Sequence, residues 1–220
     1  MAFSDFVHER GIHKGVKVDL RRDVEALLAT LHPSHARRAA IESEILARVV
    51  HRWAILRGPI GNVLVIRNEK GIRQVFPLTS PNDLEHTWAS LDVPIEKLPT
   101  EMPEVQRALL NGDGSTQPFD LSERGSFERD VWAYTLTIPK GSVVSYGEVA
   151  AGIGAPRAYR AVGSALGRNP VPLLVPCHRV VRADGSVGEY GFGTPYKVAL
   201  LRFEGVMVDD ALRVSRADGA

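Results

Sequence analysis

A single cysteine, Cys177, stands in a chain of 220 residues. No intramolecular disulfide can staple such a chain, so its fold must rest on a buried apolar core. With 44% of residues hydrophobic, a core of real size is within reach, and a disordered or fibrous chain is set aside. The length fits one large domain or two small ones. A lone thiol suits a reducing, intracellular compartment: cytoplasmic, or nuclear in a eukaryote. The opening residues lack the charged-then-apolar pattern of a signal peptide. No apolar run approaches membrane-spanning length.

The thiol lies in the stretch Asn169-Pro170-Val171-Pro172-Leu173-Leu174-Val175-Pro176-Cys177-His178-Arg179-Val180-Val181. A lone cysteine is most often a small buried hydrophobe. Here the thiol follows a proline-studded apolar run, and His178 and Arg179 follow it at once. Basic or cationic neighbours favour the thiolate, the form that reacts. From Arg157 to Arg182 there are five arginines (157, 160, 168, 179, 182) and no acidic residue. The whole chain carries +1, which leaves the remainder at about −4. A local basic stripe of this kind suits phosphate contact, its bland counterpart being a solvated face.

In chain order, residues 1–18 are polar and turn-prone. Leu20, Val24, Leu27, Leu28 and Leu31 predict a helix that His32-Pro33-Ser34 ends, and Ile41, Ile45, Val49 and Trp53 predict a second. Five of the seven histidines (8, 13, 32, 35, 51) lie in this region. Only His32 and His35 are well spaced and no cysteine joins them, so no metal is expected. Asn62–Ile66 and Ile72–Phe76 predict a hairpin around Arg67–Gly71. Helices are expected over Pro81–Leu91 and Pro103–Asn111, and a linker over Gly112–Pro118. Ser126 is placed to cap a helix with Phe127, Val131, Tyr134 and Ile138 on one side. A short helix follows Tyr146, Gly152–Ala155 is a turn, and Pro156 suits the first position of a further helix running to about Leu166. This is helix-turn-helix grammar. Wound at 100° per residue, Arg157, Arg160, Ser164 and Arg168 share a face opposite Ala158, Val162, Ala165 and Leu166. Ala161 and Gly163 edge that face. Small residues at helical spacing commonly mean close helix packing, but the arginines beside them favour nucleic acid.

Pro176-Cys177-His178-Arg179-Val180 resembles the active-site signature of the O6-alkylguanine-DNA alkyltransferases. The likeness runs without a gap from about Phe127 to Gly205, and includes Phe127 to Trp132 and Val143 to Ala150. The resemblance implies an α/β protein with a small ribonuclease-H-like sheet domain and then a mostly helical winged helix-turn-helix domain. A helical N-terminal extension without counterpart precedes them. The corresponding divisions are residues 1–56, 57–118 (with linker), 119–207 and a tail, 208–220. The implied partner is double-stranded DNA containing O6-alkylguanine. The implied reaction is irreversible, single-turnover transfer of the alkyl group to Cys177, without metal or organic cofactor. His178 and Glu204 would activate the thiol through a water, and Asn169 would tie the helix-turn-helix to the cysteine segment. Tyr146 and Arg160 would serve the flipping of the base, while Arg157, Ser164 and Arg168 would face DNA. Val175, Tyr190 and Gly191 would line the guanine pocket, Val175 through its carbonyl together with that of Cys177. Glu189 and Gly191 depart from residues common in relatives. A monomer is expected, with a protein partner for the extension left open. The rival readings are a non-reacting damage sensor or transcription regulator on the same scaffold, and a thiol hydrolase. The first would lack the cysteine, and the second shares only a Cys and a His.

Overall fold

The computed structural model describes residues 26, 34, 37, 51–80, 98–99 and 101–214. Apart from residue 26, which is helical, the helix expected over 19–31 lies outside the described residues, as do Ile41, Ile45 and Val49 of the second, the helix expected over Pro81–Leu91, and His8, His13, His32 and His35.

Four strands form one sheet in the order β3-β2-β1-β4: β1 Arg52–Arg57, β2 Asn62–Asn68, β3 Gly71–Leu78 and β4 Leu98–Pro99. The β1–β2 and β2–β3 pairs are antiparallel, whereas β4 runs parallel to β1. Val63, Leu64, Val65 and Ile66 are all inaccessible to solvent. A continuous apolar run of this kind belongs to a strand covered on both faces. Each such side chain stabilises the fold by about 1.5–3 kcal/mol. The expected hairpin is present with longer strands and a tighter turn, at Glu69-Lys70. Trp53 corrects the helix expected over Ile41–Trp53, because it sits in β1 and packs with Leu64 and Ile66. Helical spacing was extended there into Trp53-Ala54-Ile55-Leu56, a short apolar run that periodicity alone does not separate from a strand.

Helix α1 spans Pro103–Asn111 as expected and ends on Gly112 in the left-handed conformation. The linker then crosses the body of the protein. Ile72 brackets Phe119 with two backbone hydrogen bonds, donating from its N–H to Pro118 O and accepting at its carbonyl from Asp120 N–H. Gly114 lies so close to the Leu174 carbonyl that a Cβ would collide with backbone, and only glycine fits. Then follow α2 Ser126–Leu136, β5 Val144–Ser145, α3 Tyr146–Gly152, α4 Tyr159–Gly167, the 3-10 turn Cys177–Arg179, β6 Val180–Val181, which pairs with β5, and α5 Thr194–Phe203. Ser126 does not cap α2, since Gly125 holds the N-cap position and Ser126 is the first helical residue. Ser145 caps α3 through a reciprocal pair with Glu148.

One apolar cluster runs from the sheet (Val63, Val65, Ile72, Val75) through α1 and α2 to α3, α4 and Cys177. The Val75 N–H also donates to the Pro170 carbonyl at 2.8 Å. The sheet therefore braces the cysteine segment directly. Residues 208–214 are no loose tail: Val187 N–H bonds Leu212 O, Val214 N–H bonds Gly185 O, and Val206, Val208 and Val214 are buried. No helix among the described residues is long and apolar enough to cross a membrane.

Candidate active site

Helix α4 is held from behind. Val162, Ala165 and Leu166 are buried, and the indole N–H of Trp132 on α2 donates to the Ala165 carbonyl at 3.0 Å. Pro156 does not open this helix. It occupies the second position of a β-turn closed by Ala158 N–H to Ala155 O at 2.8 Å. Arg157 therefore lies in the turn, off the expected face, and Arg168 is the C-cap. The outward face of α4 carries Arg160, Ala161 and Ser164, all exposed. The Ser164 hydroxyl bonds the Arg160 carbonyl of its own helix. The Arg160 guanidinium lies over the Tyr159 ring, 5.7 Å from its centroid.

The five arginines do not form one stripe. Arg168 pairs with Glu128 at 2.6 Å, which neutralises it locally. Arg179 is buried, and its guanidinium forks onto Glu204 (Nε to Oε2 2.8 Å, Nη2 to Oε1 2.7 Å). It also donates to the Ile138 and Gly112 carbonyls, each at 2.6 Å. Sequence spacing groups arginines along the chain but does not register that Arg179 faces inward on a 3-10 turn, Cys177–Arg179.

A cavity of about 1040 Å³ lies against α4, with Tyr146, Arg160, Gly163 and Ser164 on one side and Cys177 within it. Arg182, Glu189, Tyr190, Gly191, Phe192 and Lys197 line its other side. Of the expected residues, Tyr146, Arg160, Ser164, Asn169, Cys177, Tyr190 and Gly191 are thus brought together. Cys177 is 6% exposed. Asn169 fixes it, its amide N–H₂ donating to Cys177 Sγ at 3.1 Å and to Val175 O at 2.9 Å, while its oxygen accepts from Val171 N–H at 3.0 Å. The Tyr190 hydroxyl is 4.0 Å from Sγ. Leu173 takes a left-handed φ of 73° just before this segment, a strained conformation for a γ-branched residue that buried neighbours hold in place.

Val175 is not a pocket wall. It is wholly buried, and its carbonyl already accepts from the Asn169 amide and from Cys177 N–H. The Cys177 carbonyl likewise accepts from Val180 N–H.

His178 points away from the cavity. Its Nε2 lies 3.1 Å from Glu204 Oε1, and its buried Nδ1 has no hydrogen-bond partner in the protein. Burial pushes the His178 pKa down, although Glu204 opposes the shift, so the ring is neutral at pH 7. Burial also works against the Glu204 charge, but hydrogen bonds from His178 and Arg179 outweigh it and hold the carboxyl at about 2. Burial raises the Cys177 thiol, against hydrogen bonds from Asn169 and Tyr190 and the charge of Lys197. Lys197, brought down to about 8 by burial, donates to Val180 O at 2.7 Å. Tyr146 is raised, chiefly by burial, and keeps its proton. The arrangement is a protonated thiol beside a neutral base backed by a fixed carboxylate, which suits a nucleophile deprotonated only as it reacts. Sequence reading missed Lys197, Phe192 and Arg182. A lysine inside the otherwise apolar run of α5 was the available signal for the first. Among the described residues no cluster of His, Cys, Asp or Glu could hold a metal ion.

Residues 126–206 match the family described as 6-O-methylguanine DNA methyltransferase, DNA binding domain. A methylated-DNA–protein-cysteine methyltransferase of Methanosarcina barkeri is 36% identical over 155 residues, spanning 69% of this chain and 96% of the relative. Its namesake from Mycobacterium tuberculosis is 51% identical over 98 residues, 44% of this chain and 59% of the relative. The crystal structure of Mycobacterium tuberculosis OGT in complex with DNA superposes with a TM-score of 0.58 at 33% identity, covering 70% of this chain and 92% of that one. With its cysteine, histidine and carboxylate set in this geometry, the chain belongs to the methylated-DNA–protein-cysteine methyltransferase family.

Proposed function

We propose that this protein repairs DNA directly by moving the alkyl group of O6-alkylguanine onto Cys177. The observation that carries the reading is the placement of Cys177 Sγ in the cavity beside α4, fixed by Asn169 and adjacent to the His178–Glu204 pair. The base must leave the duplex to reach that sulfur. Arg160 on the outward face of α4 fills the gap the base leaves, and Tyr146 presses on the neighbouring phosphate.

His178 takes the thiol proton through a bridging water, and Glu204 stabilises the imidazolium that results. The thiolate attacks the alkyl carbon in line, the C–S bond forms and the C–O6 bond breaks, and the electron pair goes to guanine. Tyr146, kept protonated by its partly buried position, donates toward the leaving base. Asn169 keeps Sγ oriented throughout. The thioether is not reversed by water, so each molecule acts once.

The order of the four-stranded sheet, with three antiparallel strands and a parallel fourth, supports a ribonuclease-H-like N-terminal unit. The succession α3, turn, α4, and the short parallel pairing of β5, before α3, with Val180–Val181, after α4, support a winged helix-turn-helix. The duplex partner, a monomeric intracellular protein and partner binding by the N-terminal extension belong to the same proposal. Replacing Cys177 by serine tests it. Transfer from O6-methylguanine in DNA should vanish while duplex binding stays near that of the wild type. Transfer by the serine variant would remove Cys177 from its role, and a wild type that binds DNA without reacting would make the protein a sensor.

A further inference from the structure

Tyr190 is the aromatic wall residue whose hydroxyl lies 4.0 Å from the reactive sulfur, yet its own loop holds it loosely. Between Gly188 and Gly193 the described hydrogen bonds are the turn from Gly193 N–H to Tyr190 O at 2.9 Å, the Thr194 hydroxyl to Gly188 O at 3.4 Å, Lys197 N–H to Gly193 O at 3.3 Å, and the long contact of Cys177 Sγ with the Tyr190 hydroxyl at 4.0 Å. Gly191 and Phe192 are exposed, and nothing lies within 4 Å of a Cβ built on Gly191. Support comes instead from a ring outside the cavity. Tyr196, on the first turn of α5, stacks on Tyr190 with centroids 6.4 Å apart and planes at 5°. Phe192 completes a triangle, 5.8 Å from Tyr190 and 6.2 Å from Tyr196. Aromatic groups at these separations attract beyond the area they bury.

Tyr196 is fixed in turn by the other half of the protein. Its hydroxyl donates to the Ile60 carbonyl at 3.2 Å, across 136 residues of sequence. Ile60 sits in the β1–β2 turn, which Gly58 N–H to Gly61 O closes at 2.8 Å. Gly61 has a φ of 76°, so the turn is shaped by a conformation that a side chain disfavours. Ile60 also packs on the main apolar cluster. A continuous path of contacts thus runs from the sheet turn through Tyr196 to Tyr190 and ends at Cys177.

We propose that Tyr196 is a positioning residue: pinned to the β1–β2 turn, it holds Tyr190 against the bound purine and sets how tightly the pocket grips its substrate. The inference rests on the alkyl-transfer reading. It assigns the N-terminal sheet a part in substrate binding. A free O6-aralkylguanine base has no phosphates for α4 to hold, so it depends on the pocket walls alone. A nucleotide flipped from DNA is aligned by both. Loosening the wall therefore weakens the free base more than the duplex. The chemical step is largely spared, because Tyr196 reaches Cys177 only through the long 4.0 Å Tyr190 contact, while Asn169 and the His178–Glu204 pair keep their own contacts.

The test is single-turnover alkylation of Cys177, followed by mass spectrometry, with O6-benzylguanine base and with O6-methylguanine duplex. The proteins are the wild type, Tyr196→Phe, Gly61→Ala and the double variant. Tyr196→Phe keeps the ring and should raise the half-saturating benzylguanine concentration roughly 3- to 10-fold, the size expected from one neutral hydrogen bond. The maximal rate and the duplex reaction should stay within about 2-fold of wild type. Gly61→Ala should act in the same direction, and the double variant should be no worse than the poorer single one, since both act through one contact. Amide exchange over residues 188–193 should quicken in Tyr196→Phe before any substrate is added. An unchanged half-saturating concentration, a fall in maximal rate instead, or independent effects of the two substitutions would each overturn the proposal. A wild type that alkylates from neither substrate would overturn the transfer reading and this inference with it. A wild type that reacts while Tyr196→Phe matches it would overturn the inference alone.

Discussion

Arg179→Met separates a buried clamp from a DNA contact. In the structure the guanidinium makes two bonds to Glu204 and one each to the Ile138 and Gly112 carbonyls. The side chains of Arg179 and Glu204 are 3% and 4% exposed. Methionine of similar length fills the volume but leaves the carboxylate with the neutral His178 ring as its remaining partner, and two carbonyls lose a donor. Removing one partner of a buried pair costs about 3–5 kcal/mol. That is a large share of the roughly 5–15 kcal/mol that separates folded from unfolded chains. At roughly 2–4 °C per kcal/mol for a chain of this size, the melting temperature should fall by on the order of 10 °C. Arg179→Lys keeps the charge without the planar fork, so it should fall between wild type and Arg179→Met. Glu204 would lose a group that holds its carboxyl at about 2. Folded below the usual 4.5, that carboxyl contributes stability that is full above pH 4.5 and lost as pH falls toward 2. The variant should therefore lose part of this acid-side dependence. Urea unfolding at pH 7 and pH 4, alongside duplex affinity, reads all three effects. A variant with wild-type stability and a weakened, salt-dependent affinity for DNA would refute the clamp and return Arg179 to a phosphate-facing stripe.

Three further outcomes follow from the site. The rate of transfer should show no His178-linked fall as pH drops to 6.5 and should decline only beneath it, because burial pushes His178 below its ordinary 6.5; a decline centred at or above that value in a stopped-flow pH series would contradict a buried neutral base. Arg160→Ala should weaken binding to damaged duplex more than to undamaged duplex, whereas Arg168→Ala, whose charge Glu128 already meets, should change the salt slope by less than about one unit and stability by no more than about 1 kcal/mol; equal effects in fluorescence anisotropy would show that α4 presents a uniform basic face. Methylation of Cys177 adds bulk in a packed segment between Asn169 and Tyr190, so the reacted protein should be less stable by roughly 1–3 kcal/mol; an equal or higher melting temperature by calorimetry would show that the cavity absorbs the added group.

The sequence was most legible where local chemistry decides structure. The apolar runs on either side of Glu69-Lys70 gave the hairpin, and Pro103 and Gly112 bracketed α1. It was least legible where tertiary packing decides. Trp53 reads as a helix residue until β2 is there to pair with β1. Pro156 is equally at home in a turn, and no side chain before it offers a cap. Arg179 and Lys197 look solvated in a list of charges, and burial among partners far along the chain gives them their roles. The contact between Tyr196 and Ile60 has no sequence signal, because a tyrosine hydroxyl carries no indication of which carbonyl 136 residues away it will meet. The 208–214 segment reads as a tail because its apolar residues follow neither helical nor strand spacing over a useful length, yet Val208 and Val214 close a cluster under α5.

The most direct measurement is a titration of the protein with duplex DNA carrying O6-methylguanine labelled in the methyl group, followed by digestion and peptide mass analysis. The account predicts that label transfers until it reaches one equivalent per protein and that all of it lies on the peptide containing Cys177. Label on another residue, continued turnover beyond one equivalent, or no transfer by a protein that binds the duplex would contradict it.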